Sequence, residues 1–314
     1  YSTAVTVQKA TRHPVQKPPG LRVQKVPRHH TRNLECIAMG KIDIERSASH
    51  QEWEQRLGKM SGTIHQWRER VKNPVAPEPG SSLAADGMDG LNVEGAAWYL
   101  MCVSVEHLDF VFETMERTRT MHPSVYMTIV RTAYISGMNA LWILSGSTRL
   151  ERRQRVLRLR AEDLRGQLTA INGFTTAVEA EDVKDRKLQE IQEQQSELQS
   201  LASKLDIAEN VRTMRVNQTK VITDSIPAIT GEDDGPFADS LRYIWRSGSA
   251  AAHGQYHFGA SRVGPEDVVS SAGGKSTVRL TGSLEGDVGP AVAGAYLVLQ
   301  YVFKLYDARR VKYV

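Results

Sequence analysis

The chain has 314 residues, a formal net charge of +4 and a pI near 9.0, with 40% hydrophobic and 24% charged residues. These proportions exclude a collagen-like, a disulfide-rich or a wholly disordered chain, and the length accommodates one large domain or two ordinary ones. The charge is unevenly placed. Residues 1–32 carry Lys9, Arg12, Lys17, Arg22, Lys25, Arg28 and Arg32 and no acid, a local +7, whereas the remaining chain holds 33 basic against 36 acidic residues, or −3.

Residues 1–35 read as a basic arm. Val7-Gln8-Lys9, Val15-Gln16-Lys17 and Val23-Gln24-Lys25 recur every eight residues, with Pro14, Pro18, Pro19 and Pro27 between them. Such a segment buries no core of its own and is expected to be extended or disordered. Its spaced cations Lys9, Arg12, Lys17, Arg22, Lys25 and Arg28 suit an anionic partner, RNA or another nucleic acid, and the competing reading is a solvated tail.

Residues 36–72 are expected to form an amphipathic helix, with Trp53, Leu57, Met60, Ile64 and Trp67 at spacings of four, three, four and three. Residues 73–92 are rich in proline, glycine and serine and read as a linker. Residues 93–314 follow as the main domain. Its first helix, 93–118, is apolar on most faces, and Pro123 opens a second apolar helix, 123–145. Gly146 ends that helix, and Thr148 with Glu151 has the spacing of a capping box for a third helix at 149–165. This third helix is rich in arginine, Arg152 and Arg153 among them, and reads either as a solvated face or as a patch for phosphate. Residues 176–224 predict one long polar helix whose thin stripe of Leu188, Ile191, Leu198, Leu201 and Leu205 suits a protruding hairpin arm or a subunit contact. A helix over 237–252, a Gly/Ser-rich stretch over 259–287 with a short β-like run at Thr277–Thr281, and a last helix over 288–310 complete the chain. The fold class expected is all-α.

The two cysteines, Cys36 and Cys102, lie in different segments and form no C-x-x-C, which points to reduced thiols in a cytoplasmic protein. The most apolar stretch noticed, 125–144, is interrupted by Arg131, so no membrane span is expected, and the basic N-terminus has no apolar run behind it to make a signal peptide. Gly273-Gly274-Lys275-Ser276 lacks the earlier glycine of a phosphate loop, since Val269 stands there. His253 and His257 are separated by Gly254 and have no third ligand, so neither a metal nor a cofactor is expected.

The most specific stretch is Ser240 to Gly254. It places Arg246, Ser249 and His253 at i, i+3 and i+7, on one face of a helix, with Gly254 ending that helix after the histidine. A cation beside an imidazole suits phosphodiester chemistry: arginine holds the phosphate and histidine moves a proton near neutral pH. The alternative is that Arg246 pairs with an acidic neighbour while His253 hydrogen-bonds at a helix end.

Arg246-x6-His253 resembles the R-x(4–6)-H motif of the HEPN superfamily (higher eukaryotes and prokaryotes nucleotide-binding). The "Arg…Ser…Ala-His-Gly" form also looks like a group of uncharacterised, often actinobacterial, proteins, in which an earlier apolar helix bears an arginine and ends in tryptophan, as Arg131 to Trp142 do here. The resemblance covers residues 93–310. It implies a HEPN-like bundle of four to five helices, a homodimer, and metal-independent RNA cleavage of the toxin or phage-defence kind, with Arg246 and His253 catalytic and Ser247 and Ser249 as supporting polar groups. Active members carry Asn, Asp or His directly after the arginine, where this chain has Ser247. The competing function is a non-enzymatic helical scaffold, assembly or regulatory protein that uses the basic arm on an anionic partner.

Overall fold

The computed structural model describes residues 4–7, 50–174, 181–232, 235–262, 268–270, 276–279 and 283–312. The body is all-α. In chain order its helices are α1 (His50–Val71), α2 (Ser82–Asp86), α3 (Val93–Thr118), α4 (Pro123–Ser145), α5 (Arg149–Gly173), α6 (Glu181–Lys204), α7 (Gln218–Ser225), α8 (Pro227–Thr230), α9 (Pro236–Ala252), α10 (Tyr256–Ala260) and α11 (Gly289–Arg310). Three short strands, β1 (Ala4–Val7), β2 (Val268–Ser270) and β3 (Ser276–Arg279), form an antiparallel sheet in the order β1-β3-β2, with Val5 opposite Val278 and Val269 opposite Thr277.

Helix α4 is the axis of the bundle. Tyr126, Met127, Val130, Ala133, Tyr134, Met138, Leu141 and Ile143 are all buried, and with Gly137, Ala140 and Leu144 they occupy most of the helix circumference. A helix apolar on most faces has to be largely enclosed, and α4 packs against α3, α5, α7, α9 and α11. Helices α3 and α11 approach it closely at Gly137. A methyl group there would stand 3.1 Å from Val298 Cγ1 and 3.3 Å from Ser104 Oγ, so α3 and α11 both reach the α4 backbone at this point. Ser104 Oγ donates to the Ala133 carbonyl at 2.8 Å, which satisfies the one polar atom this crossing buries.

Helix α1 forms an outer layer. Trp67 stacks on Tyr296 and Phe303 of α11 with ring centroids 5.0 Å apart in each case, and Arg70 pairs with Asp307. Arg310 also donates to Asp307, at 2.8 Å. Burial pushes the Asp307 carboxyl up, but the hydrogen bonds and charges of Arg70 and Arg310 outweigh it and hold the group below the ordinary carboxylate range. The helix begins at His50; the rest of the expected 36–72 segment lies outside the described residues.

Residues 73–92 are not a free linker. Ser81 caps α2 by accepting from the Ala84 N–H at 3.2 Å, and Ser81, Leu83, Asp86 and Leu91 are buried. The segment is held by the arginine-rich helix. Arg152 clamps Asp86 through Nε (2.5 Å) and Nη2 (2.8 Å) and donates to the Gly146 carbonyl at 2.9 Å. Arg149 donates to the Ala85 carbonyl, Arg153 to Asp89 and the Met88 carbonyl, and Arg160 to the carbonyls of Gly90 and Leu91. Proline and glycine in this stretch mark tight turns that return the chain to the core, not a spacer.

The long polar helix expected over 176–224 is also divided. α6 stops at Lys204, where Asp206 adopts φ +54°, its N–H donates to the Ser203 carbonyl, and the Ile207 N–H reaches back to the Ala202 carbonyl at 3.0 Å. These bonds complete a Schellman ending with aspartate in the position glycine usually takes. Residues 205–217 then turn Val211 and Met214 inward before α7 begins. The leucine stripe is real but short-range: Ile191 and Leu198 are buried, and α6 packs against α5. The stretch Leu284–Arg310 is long and apolar enough to cross a membrane by length and composition, yet Val292, Ala295, Val298, Leu299 and Val302 are wholly buried against the bundle. It is a core helix.

Asp86→Ala should destabilise the protein by roughly 3–5 kcal/mol in urea unfolding, because it strands a buried guanidinium, whereas the double change Asp86→Leu with Arg152→Met should recover most of that loss. Because the folded state binds a proton on Asp307 less tightly than the unfolded state, the stability this group contributes is complete above the unfolded-state pKa and is lost as pH falls through the lower folded-state value. Unfolding curves of Asp307→Asn should therefore show a shallower loss of stability between about pH 5 and pH 2 than those of the parent.

Candidate functional site

Helix α9 positions the site. Pro236 stands in its first turn, and Ala238, Leu241, Ile244, Gly248 and Ala251 form a buried face. Two hydrogen bonds pin this helix to α4. The buried Tyr134 hydroxyl donates to the Leu241 carbonyl at 2.7 Å, and Arg131 Nε donates to Ser249 Oγ at 2.9 Å. Burial pushes the Tyr134 phenol well above its ordinary pKa, so it remains a donor across the accessible pH range. Between these bonds lies Gly248. A methyl group there would sit 2.7 Å from Arg131 Cβ and 3.2 Å from the Met127 carbonyl, so only glycine lets the two helices meet this closely.

The opposite face of α9 is open. Arg246 and His253 are both exposed, and Ser249 lies between them, half-buried. Arg246 has no ion-pair or hydrogen-bond partner among the described residues, so the pairing with an acidic neighbour weighed from the sequence is not found there. His253 is the C-cap residue, directly after the last helical residue Ala252. Gly254 follows at φ +59°, its N–H donates to Ala251, and the Gln255 N–H donates to the Ala250 carbonyl at 2.9 Å. This Schellman ending presents the imidazole at the helix terminus with its ring in solvent. Two exposed aromatic rings flank the pair: Tyr243, one turn before Arg246, and Tyr256, one residue into the adjoining turn beyond His253, with 55% and 70% of their surface accessible.

Several residues singled out from the sequence are elsewhere. Ser247 is buried, and its hydroxyl donates to the carbonyls of Tyr243 and Ile244 at 2.9 and 3.1 Å, so it supports the helix and not the exposed face. Arg152 and Arg153 are buried on Asp86 and Asp89 and have no surface left for an external anion. The same holds in kind for their neighbours: Arg155 is held by Glu151, Arg158 by Glu209 and Arg165 by Glu162. Lys9, Arg12, Lys17, Arg22, Lys25 and Arg28 of the arm lie outside the described residues. No three His, Cys, Asp or Glu side chains gather as metal ligands among the described residues.

Two residues that join the site structurally, Arg131 and Trp245, were not among the candidate site residues. The signal for Arg131 was present: it is the one charged residue in the 23-residue sequence of α4. A charge on a helix that is otherwise enclosed needs either a partner or an opening, and Arg131 has both, in Ser249 and a cleft beside it.

Compared with protein-family models, curated proteins and solved structures, the chain matches no family model, no curated protein and no solved structure.

Gly248→Ala should cost roughly 1–3 kcal/mol of stability, because the added methyl group meets Cβ of Arg131 and a backbone carbonyl and not a movable side-chain end. Thermal unfolding of this variant beside Gly166→Ala, at a helical glycine with open space around it, isolates the steric part.

Proposed function

We propose that this protein binds RNA through the open face of α9 and cleaves it without a metal, in the manner of the HEPN proteins that its Arg246-x6-His253 motif resembles. The observation that supports this reading is the solvent-facing arginine and histidine two turns apart on one helix, without internal partners among the described residues, with an exposed tyrosine at either end. Unstacked bases of single-stranded RNA lie on such rings, and the cation between them holds the phosphate.

Seven residues of helix separate the Cα atoms of Arg246 and His253 by about 10 Å along the axis, a span that one nucleotide with its flanking phosphate covers. In the reaction, His253 takes the proton of a ribose 2′-hydroxyl. The 2′-oxygen then bonds to the adjacent phosphorus as the bond to the 5′-oxygen breaks, and that oxygen leaves with a proton returned from the imidazolium. Arg246 neutralises the charge that grows on the non-bridging oxygens. Ser249, anchored by Arg131, sets the rotation of α9 and is a positioning residue. The same reading includes a homodimer, and the basic arm serves as a further contact to the RNA backbone.

Incubation with mixed single-stranded RNA should give cleavage by the parent that falls about 100-fold or more in His253→Ala and in Arg246→Ala. Both residues are exposed, so their variants should keep the parental melting temperature. DNA of the same sequence should bind and stay intact, and raising salt from about 50 to about 200 mM should weaken binding roughly tenfold if about three phosphates are contacted. Equal cleavage by all three proteins overturns the catalytic part. Binding lost on deleting residues 1–32 but untouched in Arg246→Ala moves recognition to the arm and favours the assembly reading.

A further inference from the structure

On the flank of α9, the structure forms a cleft of about 390 Å³ between α4, α5, the segment before α7, and α9 itself. Its walls are unequal. Ile135, Leu159, Val216 and the indole of Trp245 give an apolar side, and Arg131 and Ser136 give a polar one. The polar groups are partly unpaired. Arg131 Nε is committed to Ser249, but its two terminal nitrogens have no partner among the described residues. Ser136, 8% exposed, has no partner either among the described residues. The carboxylate that lines the cleft, Glu162, is held by Arg165, and Asn139 and Gln218 satisfy each other at 3.2 Å.

A guanidinium presents its terminal nitrogens in the fork that fits two oxygens of one anion. We infer that this cleft is a binding site for a small organic oxyanion, a phosphate or carboxylate carried on a flat apolar body. The anion pairs with the terminal nitrogens of Arg131. The apolar body lies between Trp245, Leu159 and Ile135. The volume is that of a small-ligand site, and its composition, an apolar wall with few convergent polar groups, is the composition such sites have. Neither Arg246 nor His253 lines the cleft, so this inference stands or falls separately from the RNA reading.

The test titrates the full chain with phenyl phosphate, benzoate and inorganic phosphate, following tryptophan emission and calorimetric heat. One of the two aromatic probes should bind saturably with a dissociation constant of about 1 mM or below, and at least about tenfold tighter than inorganic phosphate. Whichever of phenyl phosphate and benzoate binds tighter identifies the anion. Arg131→Gln should weaken that binding at least about tenfold, and Trp245→Ala, which removes the ring that flanks the apolar body, severalfold. Ser249→Ala removes the Arg131 anchor while keeping the cation, and should weaken binding less than Arg131→Gln, which separates loss of the anion contact from loss of helix packing. No saturable binding of any probe up to about 10 mM, or equal affinity in Arg131→Gln, overturns the site. Equal affinity for phenyl phosphate and inorganic phosphate overturns the organic part of the ligand.

Discussion

The enclosure of α4 is the constraint on which the rest of this structure depends. A 23-residue helix that is apolar around most of its circumference cannot leave that surface in water, so α3, α5, α7, α9 and α11 are recruited to cover it. Three polar groups at these contacts are satisfied across them: Ser104 on the Ala133 carbonyl, Tyr134 on the Leu241 carbonyl, Arg131 on Ser249. The last two are the bonds that hold the site-bearing helix in place. The exposed face of α9 is therefore a consequence of how its hidden face meets α4.

The arginine-rich α5 shows how composition and location separate. Seven arginines in one helix suggest a surface for phosphate, yet their acceptors are Asp86, Asp89, Glu151, Glu162, Glu209 and a run of backbone carbonyls. Arg152 and Asp86 are 66 residues apart in sequence. Such a buried pair contributes little net stability by itself, since both ions are desolvated to make it. Its effect is to hold the 81–91 segment against α5, where Arg152 takes Asp86 and the Ser82 hydroxyl.

Helix α9 then divides its residues by face. Small residues, Gly248, Ala250 and Ala251, lie toward the core and permit close approach, while Tyr243, Arg246 and His253 project into solvent and Trp245 turns aside into the cleft. An open surface and a cleft of about 390 Å³ thus flank the same helix. Arg131 is the residue that both share, through Ser249 on one side and its terminal nitrogens on the other.

By itself the sequence determined the elements whose cause is local. The apolar periodicity and the flanking proline and glycine located α3, α4, α9 and α11 nearly to the residue, and Gly254 after His253 marked the end of α9, because helix boundaries follow from capping chemistry within a few residues. The one-face spacing of Arg246, Ser249 and His253 was legible for the same reason. Tertiary structure alone decided which charges were available. Ser247 turned inward, Arg152 and Arg153 were consumed by carboxylates about 65 residues away, the apparent linker became part of the core, and the apparent long helix broke at Asp206. Those outcomes depend on partners that no local pattern names. Burial and pairing are properties of the packed chain, and so the cleft with the unpartnered terminal nitrogens of Arg131 could be seen only once the helices were together.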